Sequence, residues 1–291
     1  MTYYPTDLGI IDLMLELPTD DKGTWYDFLK PLLMDEESRE LFKFPAEYMF
    51  KQVPTVRDSD DYMGIALDEM DKHGIQKAMI SVSFGNPLGA QAIQEHGDRF
   101  IPSFAVDPNL GMEGVRLLKR AHREFGVKAA TAFPAGCCPQ VPINDKKFYP
   151  LYAACVELDI PIFVCAGVPG PRVPMACQHV EHIDEVCWFF PDLKFVTRHG
   201  CEPWTELMVK LMVKYPNLYY STSAFAPKHY PKAIVDYANS RGADKILYAG
   251  YFPMGLSLER IFADMSLVPF KDEVWPKFLR TNALRVLGLE D

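Results

Sequence analysis

Phe190-Pro-Asp-Leu-Lys-Phe-Val-Thr-Arg-His199-Gly-Cys-Glu-Pro-Trp204 decides the reading of this chain. It reads as a helix end, a short buried strand over Lys194–Thr197, and a histidine placed where the strand stops. Pro216-Asn-Leu-Tyr-Tyr-Ser-Thr-Ser-Ala-Phe225 follows, and then Asp244-Lys-Ile-Leu-Tyr-Ala-Gly-Tyr251-Phe-Pro-Met254. Each of these stretches carries a near-continuous apolar run, the pattern of a parallel strand buried on both faces.

Working outward, eight such runs alternate with helical patterns. They are Gly9–Leu15, Lys77–Ser83, Phe100–Val106, Val127–Phe133, Pro161–Val164, Lys194–Thr197, Leu218–Ser221 and Lys245–Tyr248. Amphipathic segments lie between them, among them Asp58–His73, Met112–Phe125, Phe148–Leu158, Trp204–Tyr215 and Lys232–Asn239. Strict alternation of strand and helix implies a parallel sheet with crossover helices, and eight units predict a closed (β/α)8 TIM barrel. A doubly wound open sheet is the alternative, but the first turn has no GxGxxG. Residues 18–54 read as a helical insertion after the first strand, a lid carrying Trp25, Tyr26, Phe28, Leu29, Leu32, Leu33, Leu41, Phe42, Phe44, Tyr48, Met49 and Phe50. Asp272–Leu289 reads as a closing helix. No linker divides the chain, so residues 1–291 are expected to form a single domain.

Composition excludes several classes. The 291 residues are 48% hydrophobic and carry a net charge of −9, which suits a globular protein and argues against nucleic acid or an anionic membrane as partner. No run of about 18 apolar residues is present to span a membrane. The first residues lack the basic and apolar regions of a signal peptide. Seven cysteines without a CxxC pair suit reduced thiols in a cytoplasm, and the expected localisation is cytoplasmic.

In order and spacing, the three quoted stretches resemble the amidohydrolase-related family of metal-dependent TIM barrels. The branch is that of aminocarboxymuconate semialdehyde decarboxylase and the resorcylate-type decarboxylases. The resemblance implies a hydrolase or decarboxylase acting on a small organic acid, with the site where strands end. It also implies a set of metal ligands that this chain replaces. At the family's Asp-x-His-x-His, this chain has Asp12-Leu-Met14-Leu-Glu16; the ligand position ending the fifth strand is Cys165; the position of the aspartate after the eighth strand is Tyr251. His199 is kept, at the position that activates or orients metal-bound water. Thioether and neutral phenol are poor partners for a hard cation.

No cofactor is therefore expected. The alternative is one zinc or other divalent ion on Glu16, Cys165 and His199, a carboxylate, thiolate and imidazole set compatible with zinc. A plainer reading gives Glu16 and His199 a shared hydrogen bond and makes Cys165 a small buried residue. The catalytic candidates are His199, Glu16 and Tyr251. Arg172, after Gly167-Val-Pro-Gly-Pro171, and Met14 are candidates for binding a small carboxylate substrate, with a rim salt bridge as the alternative for Arg172. Cys137-Cys138 and the pair His179 and His182 read as loop packing and surface capping. A reading from another class is a catalytically inactive partner or scaffold subunit. The apolar insertion would then mediate a homo- or hetero-oligomer, with a metal-bearing paralogue or another enzyme.

Overall fold

The computed structural model describes residues 4–5, 7–19, 22–40, 46–56, 59 and 61–290. Eight parallel strands make one sheet in the order β1 to β8: Ile10–Asp12, Ile75–Ser81, Phe100–Ala105, Ala129–Ala132, Ile162–Cys165, Phe195–Arg198, Leu218–Ser221 and Ile246–Leu247. β8 returns to β1. Leu13 N–H donates to Tyr248 O at 3.3 Å and Glu16 N–H to Phe252 O at 3.0 Å. This closure is the expected (β/α)8 TIM barrel.

The insertion after β1 holds a 3-10 stretch over Lys22–Leu32, the short helix α1 (Glu36–Glu40) and a 3-10 turn over Glu47–Met49. Leu41, Phe42 and Phe44, which the lid reading invokes, lie outside the described residues. The other helices are α2 (Tyr62–Lys72), α3 (Pro87–Glu95), α4 (Met112–Phe125), α5 (Tyr149–Glu157), α6 (His182–Phe189), α7 (Thr205–Lys214), α8 (Lys232–Tyr237), α9 (Leu258–Met265) and α10 (Asn282–Leu287).

Local chemistry sets these ends. Asp61 Oδ1 caps α2 by accepting from Gly64 N–H at 2.7 Å, and Asn86 caps α3 with Pro87 in the first turn. Gly126, at φ 68°, ends α4 in the left-handed conformation. The expected closing helix is broken. Asp272–Val274 is 3-10, Lys277–Thr281 is a π turn, and only α10 is α-helical. Asn282 Nδ2 donates to Ile246 O at 2.8 Å and to Ala243 O at 2.7 Å, which draws this segment under the barrel.

Two apolar cores follow from the alternation of side chains along the strands. Ile11, Met79, Ile101, Phe163, Val196 and Leu247 fill the barrel interior, and Leu284 and Leu287 of α10 close its base. Their neighbours in sequence, such as Ile10, Ile80, Ile162 and Phe195, face the surrounding helices. Each buried aliphatic or aromatic side chain contributes roughly 1.5–3 kcal/mol relative to exposure.

Candidate functional site

The C-terminal ends of the strands open on a cavity of about 1110 Å³. The insertion supplies part of its wall through Trp25, Tyr26, Phe28 and Phe50. Phe50 stacks on Tyr251 with centroids 5.5 Å apart, and Tyr26 shares a hydrogen bond with the Tyr251 hydroxyl. Burial pushes the Tyr251 phenol up to about 12, so at neutral pH it is a hydrogen-bond donor and not a phenolate.

Glu16 follows β1 and is held by Ser81 N–H, which donates to Oε1 at 2.8 Å. Loss of water around the carboxyl raises its pKa, against the opposing hydrogen bonds of Ser81 and the charge of Arg198. Cys165 ends β5 and is 4% exposed; burial raises its thiol to about 11. A neutral thiol is not a strong nucleophile.

His199 stands just past β6. Its backbone N–H donates to Ser223 Oγ at 3.1 Å, and its Nδ1 lies 3.1 Å from the same oxygen. Burial and the neighbouring Arg198 lower its pKa to about 3, so the imidazole is neutral at physiological pH. Its ring meets Tyr251 edge-on at 5.4 Å. His199, Gly200 and Cys201 have φ of 63°, 91° and 60°. Left-handed backbone costs a non-glycine residue roughly 1–2 kcal/mol. A Cβ at Gly200 would fall 2.3 Å from the Phe225 ring. The strand thus ends in a strained, tightly packed turn that fixes the direction of the histidine.

Arg198 is the cation at the strand ends, and Lys51, Lys228 and Arg260 line the same cavity. Arg198 ends β6, in register with Cys165 on β5. Its Nη2 faces Met14 Sδ. Its Nε is buried without a hydrogen-bond partner, and among the described residues no carboxylate lies within ion-pair distance of the guanidinium. Its charge reaches Glu16, Cys165, His199 and Tyr251. The sequence reading passed over it in favour of the histidine beside it. The alternation was the available signal: Val196 points into the barrel, so Arg198, two residues on, does too.

Several expectations are corrected. Arg172 does not line the cavity. It bridges Asp35 at 3.1 Å and Glu37 at 2.8 Å in the insertion, and stacks over Tyr48 at 5.0 Å. The glycine and proline residues before it turn the chain outward, so it is the rim salt bridge. Glu16 and His199 do not share a hydrogen bond; Ser81 and Ser223 take those positions. Glu16, Cys165 and His199 do line one cavity. Among the described residues, however, no three His, Cys, Asp or Glu side chains form a group able to hold a metal ion. Met14 lines the cavity, against Arg198. Cys137 is buried and Cys138 exposed in the loop after β4. His179 packs on Trp204 at 3.9 Å, and His182 Nε2 lies 3.0 Å from Ala176 O.

This barrel, with its site at the strand ends, is that of the amidohydrolases. The family model described as Amidohydrolase matches residues 31–289, and the chain belongs to that family. Solved structures share the fold across nearly their whole length. One is an uncharacterized TIM-barrel protein from Bordetella bronchiseptica, 23% identical with a TM-score of 0.71, covering 96% of this chain and 98% of that one. Another is 5-carboxyvanillate decarboxylase from Novosphingobium aromaticivorans, complexed with manganese and 4-hydroxy-3-methoxy-5-nitrobenzoic acid; it is 18% identical, with a TM-score of 0.68 and 98% of both chains covered. A third is 2,6-dihydroxybenzoate decarboxylase from Rhizobium, 17% identical with a TM-score of 0.65, covering 96% of this chain and 98% of that one. No curated protein matches the chain. No helix among the described residues is long and apolar enough to cross a membrane.

Proposed function

We propose that this protein decarboxylates a small unsaturated or aromatic carboxylic acid without a metal ion. The observation that carries this reading is Glu16: a half-buried carboxyl with a raised pKa, fixed by Ser81, at the mouth of a largely apolar cavity. A carboxyl that keeps its proton to higher pH is a general acid. The fold shared with decarboxylases of aromatic acids supports the substrate class by analogy.

The donors present do not fit a divalent cation. A guanidinium stands among them, and the Met14 and Tyr251 side chains supply no anionic ligand. The reaction is therefore written with the chain's own groups. The Glu16 proton passes to the carbon that bears the carboxylate. The bond from that carbon to the carboxylate breaks, its electron pair returns to the unsaturated system, and carbon dioxide leaves. Glu16 then recovers a proton from solvent. Tyr251 and neutral His199 hold the substrate's polar substituents by hydrogen bonds, and Tyr26 and Phe50 exclude water above them.

The test is incubation of the purified protein with hydroxybenzoates and α,β-unsaturated acids in D₂O. Release of carbon dioxide with deuterium at the vacated carbon is expected. A panel showing neither release nor deuterium exchange counts against the reading.

A second reading, a non-catalytic partner subunit, is favoured by the exposure of Met34, Tyr48 and Met49 on the insertion, at 79%, 59% and 57%. Such a surface suits a homo- or hetero-oligomer. Light scattering decides: a mass above 33.1 kDa that falls on Met34→Lys with Met49→Lys supports assembly through the insertion, and a monomer counts against self-assembly there.

A further inference from the structure

We infer that Arg198 is the fixed cation of this site: its guanidinium stands in for a divalent metal and receives the substrate's carboxylate. The inference rests on the reading of a carboxylic-acid substrate and adds the group that binds it.

A buried charge is expensive unless it is paired, and its desolvation is several kcal/mol in a real protein interior. Folded proteins normally match a buried arginine with a carboxylate. Arg198 is half-buried against the cavity, and among the described residues it has no such match. Its Nε is buried without a partner, and among the described residues it forms no ion pair. The nearest carboxyl whose titration it influences, Glu16, is committed to Ser81 instead. Its other contact is a thioether, Met14 Sδ, a weak acceptor that screens little charge. A guanidinium held in this state, at the strand ends and lining a cavity of about 1110 Å³, is prepared for an anion from outside. Its planar fork matches a carboxylate in two parallel hydrogen bonds.

The surroundings agree in sign. His199, adjacent in the chain, turns its Nδ1 toward Ser223 Oγ, and Met14 and Tyr251 line the cavity with a thioether and a phenol. None of these groups competes with an incoming anion, and none offers an anionic ligand to a metal. Arginine and a divalent ion would repel each other in this place. Arg198 thus places a positive charge carried by the chain beside Met14, Cys165 and Tyr251.

The experiment measures binding and metal content separately. Wild type, Arg198→Met and Arg198→Lys are titrated with benzoate and with acetate, by calorimetry and by the fluorescence of Trp25 at the cavity wall. Titrations are run as purified, after chelator, and with added Mn²⁺. Equilibrium dialysis with Mn²⁺ and Zn²⁺ is run on the same proteins, and thermal unfolding confirms that the variants fold. For wild type the expected result is benzoate binding unchanged by chelator or Mn²⁺, with no stoichiometric metal. Arg198→Met should weaken benzoate at least tenfold, and Arg198→Lys should restore part of it. Chelator-sensitive benzoate binding, one equivalent of bound metal, or equal affinity in Arg198→Met each overturns the inference. If Arg198→Met fails to fold, the Arg198→Lys arm and the chelator and dialysis arms decide it. Acetate bound through Arg198 with no affinity for benzoate would reject the aromatic substrate and leave the arginine's role standing. Neither anion bound would reject the role itself.

Discussion

The backbone N–H of Gly250 donates to Asp12 Oδ1 at 2.8 Å, and Met14 N–H reaches the same oxygen at 2.9 Å. One carboxylate thereby ties β1 to the segment after β8 at the seam where the barrel closes. A Cβ at residue 250 would lie 2.5 Å from Asp12 Oδ2. Gly250→Ala is expected to destabilise the fold by about 1–3 kcal/mol, the usual cost of overpacking. Urea unfolding checks this; a variant as stable as wild type would remove the seam from the account.

Asp12 is fully buried, and burial raises its pKa from 3.8 to about 7 against the hydrogen bonds from Gly250 and Met14. The folded state keeps a proton that the unfolded chain releases. Stability from this group is therefore complete below about pH 4, falls as pH rises to about 7, and is level above. The displacement is worth up to ~4 kcal/mol. Asp12→Asn keeps the oxygen acceptor and does not titrate. The stability of Asp12→Asn minus that of wild type should climb from pH 4 to pH 7 and then level off. A difference independent of pH would show that Asp12 does not titrate in this window.

Glu16→Gln tests the proton donor. Gln keeps the acceptor for Ser81 N–H but has no acidic proton. Turnover should fall by about 10²–10⁴, the range of general acid catalysis, while benzoate affinity stays within a few-fold. Loss of affinity with turnover preserved would reverse the assignment.

Tyr26 and Tyr251 join the insertion to the barrel by a hydrogen bond. Tyr26→Phe and Tyr251→Phe should each weaken the fold, and the double variant should cost less than the two together. The coupling expected for one hydrogen bond is about 1 kcal/mol. Additive effects would mean the two hydroxyls do not act on each other.

Arg172→Ala should leave carboxylate affinity unchanged, because the side chain is spent on Asp35 and Glu37 at an exposed rim. Its melting temperature should fall little, and less at high salt. A clear loss of benzoate affinity would return Arg172 to the site.

The sequence by itself determined the barrel. Eight apolar runs at strand length, separated by amphipathic helices, admit few other packings, because each strand must bury both faces. Met112–Phe125 and Leu218–Ser221 were legible to the residue, since Gly126 and the Pro216-Asn turn mark their ends. The resemblance carried by the sequence also named the candidates Glu16, Cys165, His199 and Tyr251, all of which line the cavity.

Tertiary structure decided what these residues do. Whether Glu16 meets His199 or Ser81 depends on how far neighbouring strands are staggered, and no local pattern encodes stagger. Arg172 and Arg198 are the same residue type, each close to a strand end. Arg172 follows a glycine and proline turn that carries it out to two acidic residues of the insertion, where its charge is compensated. Arg198 continues the alternation of Val196 into the barrel, where the described residues bring it no compensating carboxylate. The composition names the charges; only the packing of strands and insertion separates the arginine paired with Asp35 and Glu37 from the one whose Nε is buried without a partner.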